Sequence, residues 1–359
     1  MRICFISLGT FTHIGPYLDY FRQTGHDVHF IAMSPSPERG VPTYNVGLGH
    51  RYSETKGKWK YLISMLRARR LIKELKPDIV HAHYVTSCGL TAMVCGFHPT
   101  IVTVHGSDLT TGTRSRIWRP LLRRIFAFAD SVNTVSKELE EMALSLSTDP
   151  AKIETLTLGI DTDKFALADR REVHSSRPLR LVCTRRLEKV FDHSTIIGAL
   201  VLLKERGIDF HMTFVGDGSL RDTLKRHVED VGLGDYIDFT GKVHNDDLPE
   251  ILGQHEVYLS ASLWDGMSLS LLEAMAMGLF PIVSDIKANA ALLGNNVDGM
   301  LHKVGDANDL AKCIMQLHEC RQLVTSAAQR NRQKVIASAD RKTNMKRLER
   351  IFEELVKTR

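Results

Sequence analysis

Short apolar runs alternate with helix-length segments along the whole of this chain, and most runs end in a loop rich in Gly, Ser, Thr or His. A strand followed by a helix and then by another strand crosses over to lie parallel to the first. The alternation therefore calls for parallel sheets covered by helices on both faces. The clearest unit begins with Val257-Tyr258-Leu259-Ser260-Ala261, a buried strand. A Gly-bearing loop through Trp264, Asp265 and Gly266, a helix that runs to about Met277, and the strand Phe280-Pro281-Ile282-Val283-Ser284 follow. In a parallel sheet that loop lies at the carboxyl end of its strand, where ligands bind. Free backbone N–H groups at a helix start suit phosphate. Asp265 precedes the helix and Glu273 lies about one turn inside it, within reach of a ligand at the N-terminus. The bland alternative is that Ser270-Leu271-Leu272-Glu273 is a capping box and Asp265-Gly266 ordinary turn chemistry.

The chain opens with a strand over 2–8, a loop holding Gly9 and His13, a helix from about Pro16 to Thr24, and a strand over 27–32. Proline suits the first turn of a helix, hence the expected start at Pro16. The dinucleotide fingerprint is missing, since Gly9 and Gly15 are too far apart, which argues against an NAD enzyme. After a variable loop over 51–57, further strands fall at 78–83, 100–104 and 130–135. Residues 166–178 have linker composition, and a second series of strands and helices starts at 179. A chain of 359 residues is comfortable as two cores. The expected division is 1–170 and 171–339, two doubly wound Rossmann-like domains facing across a cleft, with a last helix in 340–359 packing back on the first.

Apolar content of 43% and charged content of 25% are those of an ordinary soluble protein. The six cysteines form no C-x-x-C pair, which argues against a zinc ribbon or redox motif and makes a reducing, cytoplasmic setting the default. The first residues look like a strand rather than a signal peptide, and no run reaches the roughly 18 apolar residues of a membrane span. Asp161-Thr162-Asp163 brings too few oxygens for a hard cation, so no metal is expected. The net charge of +5 is unevenly spread. Residues 51–76 are strongly basic, and the segment from Arg114 to Arg124 carries five arginines and no acid, interleaved with Ile117, Trp118, Leu121 and Leu122. Such segments are most often solvated faces. A basic helix with apolar anchors also suits an anionic membrane surface, giving an expected peripheral association with the cytoplasmic face. No nucleic-acid-binding motif accompanies the charge.

Three further strand-end loops carry candidate chemistry. His105 follows the strand 100–104; it is either a satisfied loop histidine or a cleft residue that hydrogen-bonds a reacting group. Gly216-Asp217-Gly218-Ser219 is either plain turn chemistry or a place for close backbone approach to a ligand. Arg185, Arg186 and Lys189 are either solvated or placed to neutralise a diphosphate.

Taken together, the ordered set resembles a family 4 glycosyltransferase of the GT-B fold over almost the whole chain. It comprises His105-Gly106-Ser107-Asp108, Gly159-Ile160-Asp161-Thr162-Asp163-Lys164-Phe165, Gly216-Asp217-Gly218 with Leu220-Arg221, and Phe239-Thr240-Gly241-Lys242-Val243. Strongest is Asp265 through Glu273 to Gly278, which is similar to the family's Glu-x7-Glu signature with its Glu-Ala-Met-Ala-x-Gly tail. The resemblance implies a retaining, metal-independent transferase that takes a nucleotide-sugar donor as co-substrate, most often a UDP-sugar. Its acceptor would be a saccharide or a lipid-linked molecule in surface polysaccharide or glycolipid synthesis. It also implies that Glu273 holds the ribose hydroxyls and Val243 meets the base. Gly266, Met267, Ser268 and Leu269 would offer N–H groups to diphosphate and sugar. Arg186 would stabilise the leaving diphosphate, Asp265 would meet a sugar hydroxyl, and His105 would contact the transferred sugar, with Gly9 and His13 lining the facing loop. The chain departs from the pattern at Asp265, where the family has Glu; at Phe191, where it has Lys, the nearest lysine being Lys189; and at Leu158, where it has Asn. A nucleotide-sugar epimerase and a non-catalytic nucleotide-sugar binder share the fold. An epimerase would want further acids or bases near the sugar, and besides Asp265 and Glu273 the chain offers only His13 and His105.

Overall fold

The computed structural model describes residues 1–9, 11–37, 40–48, 58–167, 178–293 and 297–358. The loop over 51–57 and most of the expected linker lie outside them. The chain divides into two compact units, Met1–Leu158 with Lys342–Arg359, and Gly159–Arg341. The second unit thus begins at Gly159, ahead of the boundary expected at 171.

Unit 1 alternates β1 (Arg2–Ser7), α1 (Phe11–Gln23), β2 (Asp27–Ala32), β3 (Thr43–Asn45), α2 (Lys58–Leu75), β4 (Ile79–His83), α3 (Leu90–Cys95) and β5 (Thr100–Val104). It continues with α4 (Ser107–Arg114), α5 (Trp118–Phe128), β6 (Ser131–Thr134), α6 (Lys137–Leu144) and β7 (Ile153–Thr155). All the strands pair in parallel, in the order β3-β2-β1-β4-β5-β6-β7. Every residue of β4 and β5 is buried, as expected for strands covered on both faces. The order reverses between β1 and β4, so the loops after those strands diverge and leave a crevice at their carboxyl ends.

Helix α1 starts at Phe11, not at Pro16, which lies inside it. The reason is its buried stripe, Ile14, Tyr17, Leu18 and Phe21, spaced as one face of a helix and beginning before the proline. An interior proline costs about 3 kcal/mol, and burying Ile14 alone recovers about 2.

Unit 2 runs β8 (Leu179–Cys183), α7 (His193–Glu205), β9 (Phe210–Val215), α8 (Arg221–Asp230), β10 (Ile237–Gly241), α9 (Leu248–Gly253), β11 (Val257–Ser260) and α10 (Leu269–Ala276). Then come β12 (Phe280–Ser284), α11 (Lys287–Ala290), β13 (Met300–His302), α12 (Ala307–Glu319) and α13 (Gln322–Ala339). Its parallel sheet has the order β10-β9-β8-β11-β12-β13, reversing between β8 and β11. Successive residues serve opposite faces: Leu181 joins the apolar layer of Leu200, Phe210 and Ile314, while Val182 joins that of Tyr258, Leu272 and Met275.

The last helix, α14 (Arg341–Lys357), packs on unit 1. Phe352 stacks on Phe21 with ring centroids 4.9 Å apart. Glu349 accepts a hydrogen bond from the Tyr20 hydroxyl at 2.7 Å and pairs with His26 Nε2 at 2.7 Å. Among the described residues no helix is long and apolar enough to cross a membrane. Cys4, Cys88, Cys95 and Cys183 are buried thiols.

Candidate active site

In unit 2 the loops after β8 and β11, the two strands flanking the reversal, are tied together by one side chain. Arg185 is 10% exposed. It donates to the Asp265 carboxylate at 2.5 Å, to Ser268 Oγ at 2.9 Å and to Ser270 Oγ at 3.2 Å. Its guanidinium lies 4.1 Å from the centre of the Phe191 ring. Ser268 caps α10, its hydroxyl accepting the Leu271 N–H at 3.2 Å. The N–H groups of Leu269 and Ser270 have no acceptor within the helix, as a first turn dictates. A largely buried cation and the positive end of a helix therefore meet at the strand ends, with Gly266 buried and Met267 half-buried in the loop between.

Because the cap is Ser268, Ser270 is already helical and Glu273 lies too far along to return to a capping N–H. The capping-box alternative does not hold. Glu273 is buried, and burial raises its carboxyl to about 7, against the pull of Arg341, a hydrogen bond from Asn245, Lys164 and Arg185. Lys164 in turn bonds Asn245 Oδ1 at 2.7 Å and Asp246 at 2.5 Å. Asp161 has a turn role: its carboxylate accepts the backbone N–H groups of Asp163 and Lys164. Val243 is half-buried beside the layer that contains Leu271 and Leu272.

The other sequence candidates of unit 2 are placed differently. Arg186, 75% exposed, turns away to Glu188 at 3.3 Å; the structure brings Arg185, not Arg186, to Asp265. Neighbouring residues alternate sides in extended backbone, so with Arg185 turned toward Asp265 the side chain of Arg186 starts out on the other side. Lys189 is exposed and has no acidic partner among the described residues. Gly216 and Gly218 are close-approach glycines, but what approaches is this chain's own loop. A Cβ on Gly216, at φ 141°, would stand 2.9 Å from the Arg185 carbonyl oxygen, and one on Gly218 would stand 2.4 Å from that of Leu187. They let the β9 loop seat the turn that carries Arg185. Asp217 stays at the surface, 3.7 Å from Arg221.

In unit 1 the crevice at the reversal is lined by histidines. His105, directly after β5, lies 5.5 Å from His13 and 4.5 Å from Tyr84, ring centre to ring centre. His13 belongs to the first turn of α1 and Gly9 follows β1. His83, the last residue of β4, places Nδ1 3.0 Å from His105 Nε2. Burial holds His81, His83 and His105 well below the usual imidazole range, His81 at about 3. Asp108 fastens the two loops to each other: one oxygen accepts the Gly106 N–H and the other the Val85 N–H, both at 2.8 Å. Tyr84 sits at φ 76°, a strained value for a residue with a side chain.

His83, Tyr84, Asn245 and Lys164 escaped the sequence reading of the site. His83 had a signal: His81 and His83 alternate on one face of an otherwise apolar strand, and polar groups so placed need partners. Lys164 stood in the Gly159–Phe165 motif without a role in the site, and Asn245 had no signal, because their meeting joins loops far apart in sequence.

Residues 9–164 match the model of Glycosyltransferase Family 4 and residues 167–336 that of Glycosyl transferases group 1, so the chain belongs to the family 4 glycosyltransferases and is an enzyme of that class. Among its relatives is the Erwinia amylovora amylovoran biosynthesis glycosyltransferase AmsK, 26% identical over 71% of this chain and 64% of that protein. Another is the Escherichia coli UDP-Gal:alpha-D-GlcNAc-diphosphoundecaprenol alpha-1,3-galactosyltransferase, 29% identical over 72% of this chain and 70% of that one. The sucrose-phosphate synthase of Thermosynechococcus elongatus superposes with a TM-score of 0.84 at 16% identity, covering all of both chains. Anabaena HepE in complex with UDP gives 0.80 at 15%, over 99% of this chain and 100% of that one. These likenesses establish the GT-B fold.

Proposed function

We propose that this glycosyltransferase takes its sugar from a UDP-sugar and passes it, with retention of anomeric configuration, to a saccharide or lipid-linked acceptor in surface polysaccharide or glycolipid synthesis. The observation that carries the reading is the meeting, at the strand reversal of unit 2, of the largely buried Arg185, the open N-terminus of α10 and buried Glu273. Departure of a nucleoside diphosphate builds negative charge on phosphate oxygens, and preorganised donors in a desolvated site stabilise it best. Arg185 and the N–H groups from Gly266 to Leu269 supply such donors without a metal. Arg186 is proposed to swing from Glu188 to the diphosphate once one is bound. Glu273 takes the ribose hydroxyls, Val243 the base through its backbone, and the free oxygen of Asp265 a sugar hydroxyl. His105 contacts the transferred sugar. The acceptor class is supported by relatives named for amylovoran biosynthesis and for galactosyl transfer to a GlcNAc-diphosphoundecaprenol.

A lipid-linked acceptor is further supported by α5. Ile117 ahead of it is 81% exposed, and Arg116, Arg119, Arg123 and Arg124 are all exposed, with no acid among them. Exposed Leu62 and Leu66 with Arg69 and Lys73 make a less basic face on α2, where Arg70 is paired to Glu74 at 2.7 Å. These faces are proposed to rest on an anionic membrane surface.

The test is thermal stability against a panel of nucleotide sugars. A ligand at about 100 times its dissociation constant stabilises by about 2.7 kcal/mol. Stabilisation by uridine derivatives alone, lost in Glu273→Ala, is the expected result; response to another base would move the donor assignment, and response to none would overturn the reading. Co-sedimentation with vesicles of anionic lipid should be lost when Arg119, Arg123 and Arg124 are replaced by Glu. Unchanged binding would remove the membrane.

A further inference from the structure

The histidines of unit 1 are not equivalent. His81 and His83 are fully buried and His105 is partly open. His105 makes one hydrogen bond to protein, through Nε2 to His83 Nδ1, and no described residue takes up its Nδ1. His83 is enclosed by the rings of Tyr17, His81 and Phe5, with centroids at 4.6, 4.2 and 6.0 Å. Its Nε2 is buried without a hydrogen-bond partner.

A neutral imidazole carries one proton, and the contact between two neutral rings needs that proton on one side only. If His83 carried it on Nε2, a buried N–H would be left with no acceptor among those rings. If His83 carries it on Nδ1, only a lone pair is left unmet. Orphaned buried donors are rarer and costlier than orphaned acceptors. His83 Nδ1–H therefore donates to His105 Nε2. With Nε2 committed as an acceptor, the single proton of His105 must sit on Nδ1.

We infer that His83 is a positioning residue that fixes His105 as the Nδ1–H tautomer, so that His105 presents a neutral hydrogen-bond donor to an oxygen of a hydroxylated ligand, the sugar of the proposed reaction. The low proton affinities of both rings, caused by burial, agree with it by keeping the pair neutral at physiological pH. The remaining groups around His105 are His13, Tyr84 and the loop-fastening Asp108, whose carboxylate oxygens are occupied by backbone N–H groups. The role in turnover rests on the transferase reading above; the tautomer does not.

Long-range proton–nitrogen correlation spectra of the full chain with nitrogen-labelled histidine read the tautomer directly, with His105→Gln to assign its signals. The expected wild-type spectrum shows His105 protonated at Nδ1 and bare at Nε2. In His83→Phe the constraint is gone, and His105 should shift toward the Nε2–H form with kcat reduced on the order of ten- to a hundred-fold, as when a histidine loses the partner that orients it. His83→Asn returns an N–H near the lost Nδ1 and should restore both the tautomer and most of kcat. A wild-type His105 protonated at Nε2, or a tautomer that does not respond to His83→Phe, overturns the inference. The expected tautomers in a protein that turns over no nucleotide sugar would uphold the histidine pair and sink the proposed function instead. The wild-type spectrum decides even if the phenylalanine variant fails to fold.

Discussion

Replacing Glu273 by glutamine should make the free protein more stable while abolishing its response to nucleotide. The carboxyl titrates near 4.5 in an unfolded chain and at about 7 in the folded one, because burial penalises its charged form. Below about pH 4.5 it is protonated in both states and the penalty is absent. As pH rises toward 7 the unfolded chain gives up the proton and the folded one retains it, so stability falls; above 7 the loss is constant. A tenfold difference in proton affinity is worth about 1.4 kcal/mol, which makes the full penalty about 3 kcal/mol. At about pH 5.5 it is only about 1. Glutamine keeps the shape and carries no charge, so its advantage over wild type should grow by about 2 kcal/mol between about pH 5.5 and 8. In a domain of this size that is a difference of about 4 to 8 °C in Tm. Calorimetry of both proteins at the two pH values, with and without UDP, checks it. An offset in Tm that is the same at both pH values would refute the claim that a buried carboxylate is the source. A retained shift with UDP would refute its place in the nucleotide site.

Three other perturbations follow from the geometry. His81, held at about 3 by burial, rejects the proton that the unfolded chain binds below about 6.5, so acid should cost unit 1 stability: about 2 kcal/mol at about pH 5 from this ring alone. Urea unfolding across that range should show a shallower pH slope for His81→Phe. Gly218→Ala puts a Cβ into the Leu187 carbonyl and should displace the turn carrying Arg185, weakening nucleotide binding more than tenfold, an effect of about 1.4 kcal/mol or more seen by titration calorimetry. Phe352→Ala removes a fully buried ring stacked on Phe21 and should cost about 3 to 5 kcal/mol, measured as a lower denaturant midpoint with m unchanged.

The fold was legible because parallel strands buried on both faces are written as apolar runs, and crossover helices as the amphipathic stretches between them. What period could not show were β3, β7 and β13, each of three residues and each at a sheet edge, too short to carry a pattern. The start of α1 was missed for a different reason. A local rule about proline competed with a buried stripe, and tertiary packing decided between them. In the site, the residues of the loop from Asp265 to Glu273 lie next to one another in sequence and could be picked out together. The choice between Arg185 and Arg186 could not be made, since it depends on which side of an extended strand end faces Asp265 eighty positions on. The glycines at 216 and 218 were visible as close-approach positions, yet sequence does not name what comes close.

Unit 2 is one continuous stretch of chain, whereas unit 1 is interrupted and completed only by α14. A ribosome therefore finishes most of unit 1 early but leaves Phe21, Tyr20 and His26 without the helix that covers them until the whole of residues 159–341 has been made. At usual synthesis rates that interval is roughly ten to forty seconds. Throughout it the nascent chain displays an aromatic surface suited to a chaperone, and a message truncated within unit 2 would never withdraw it.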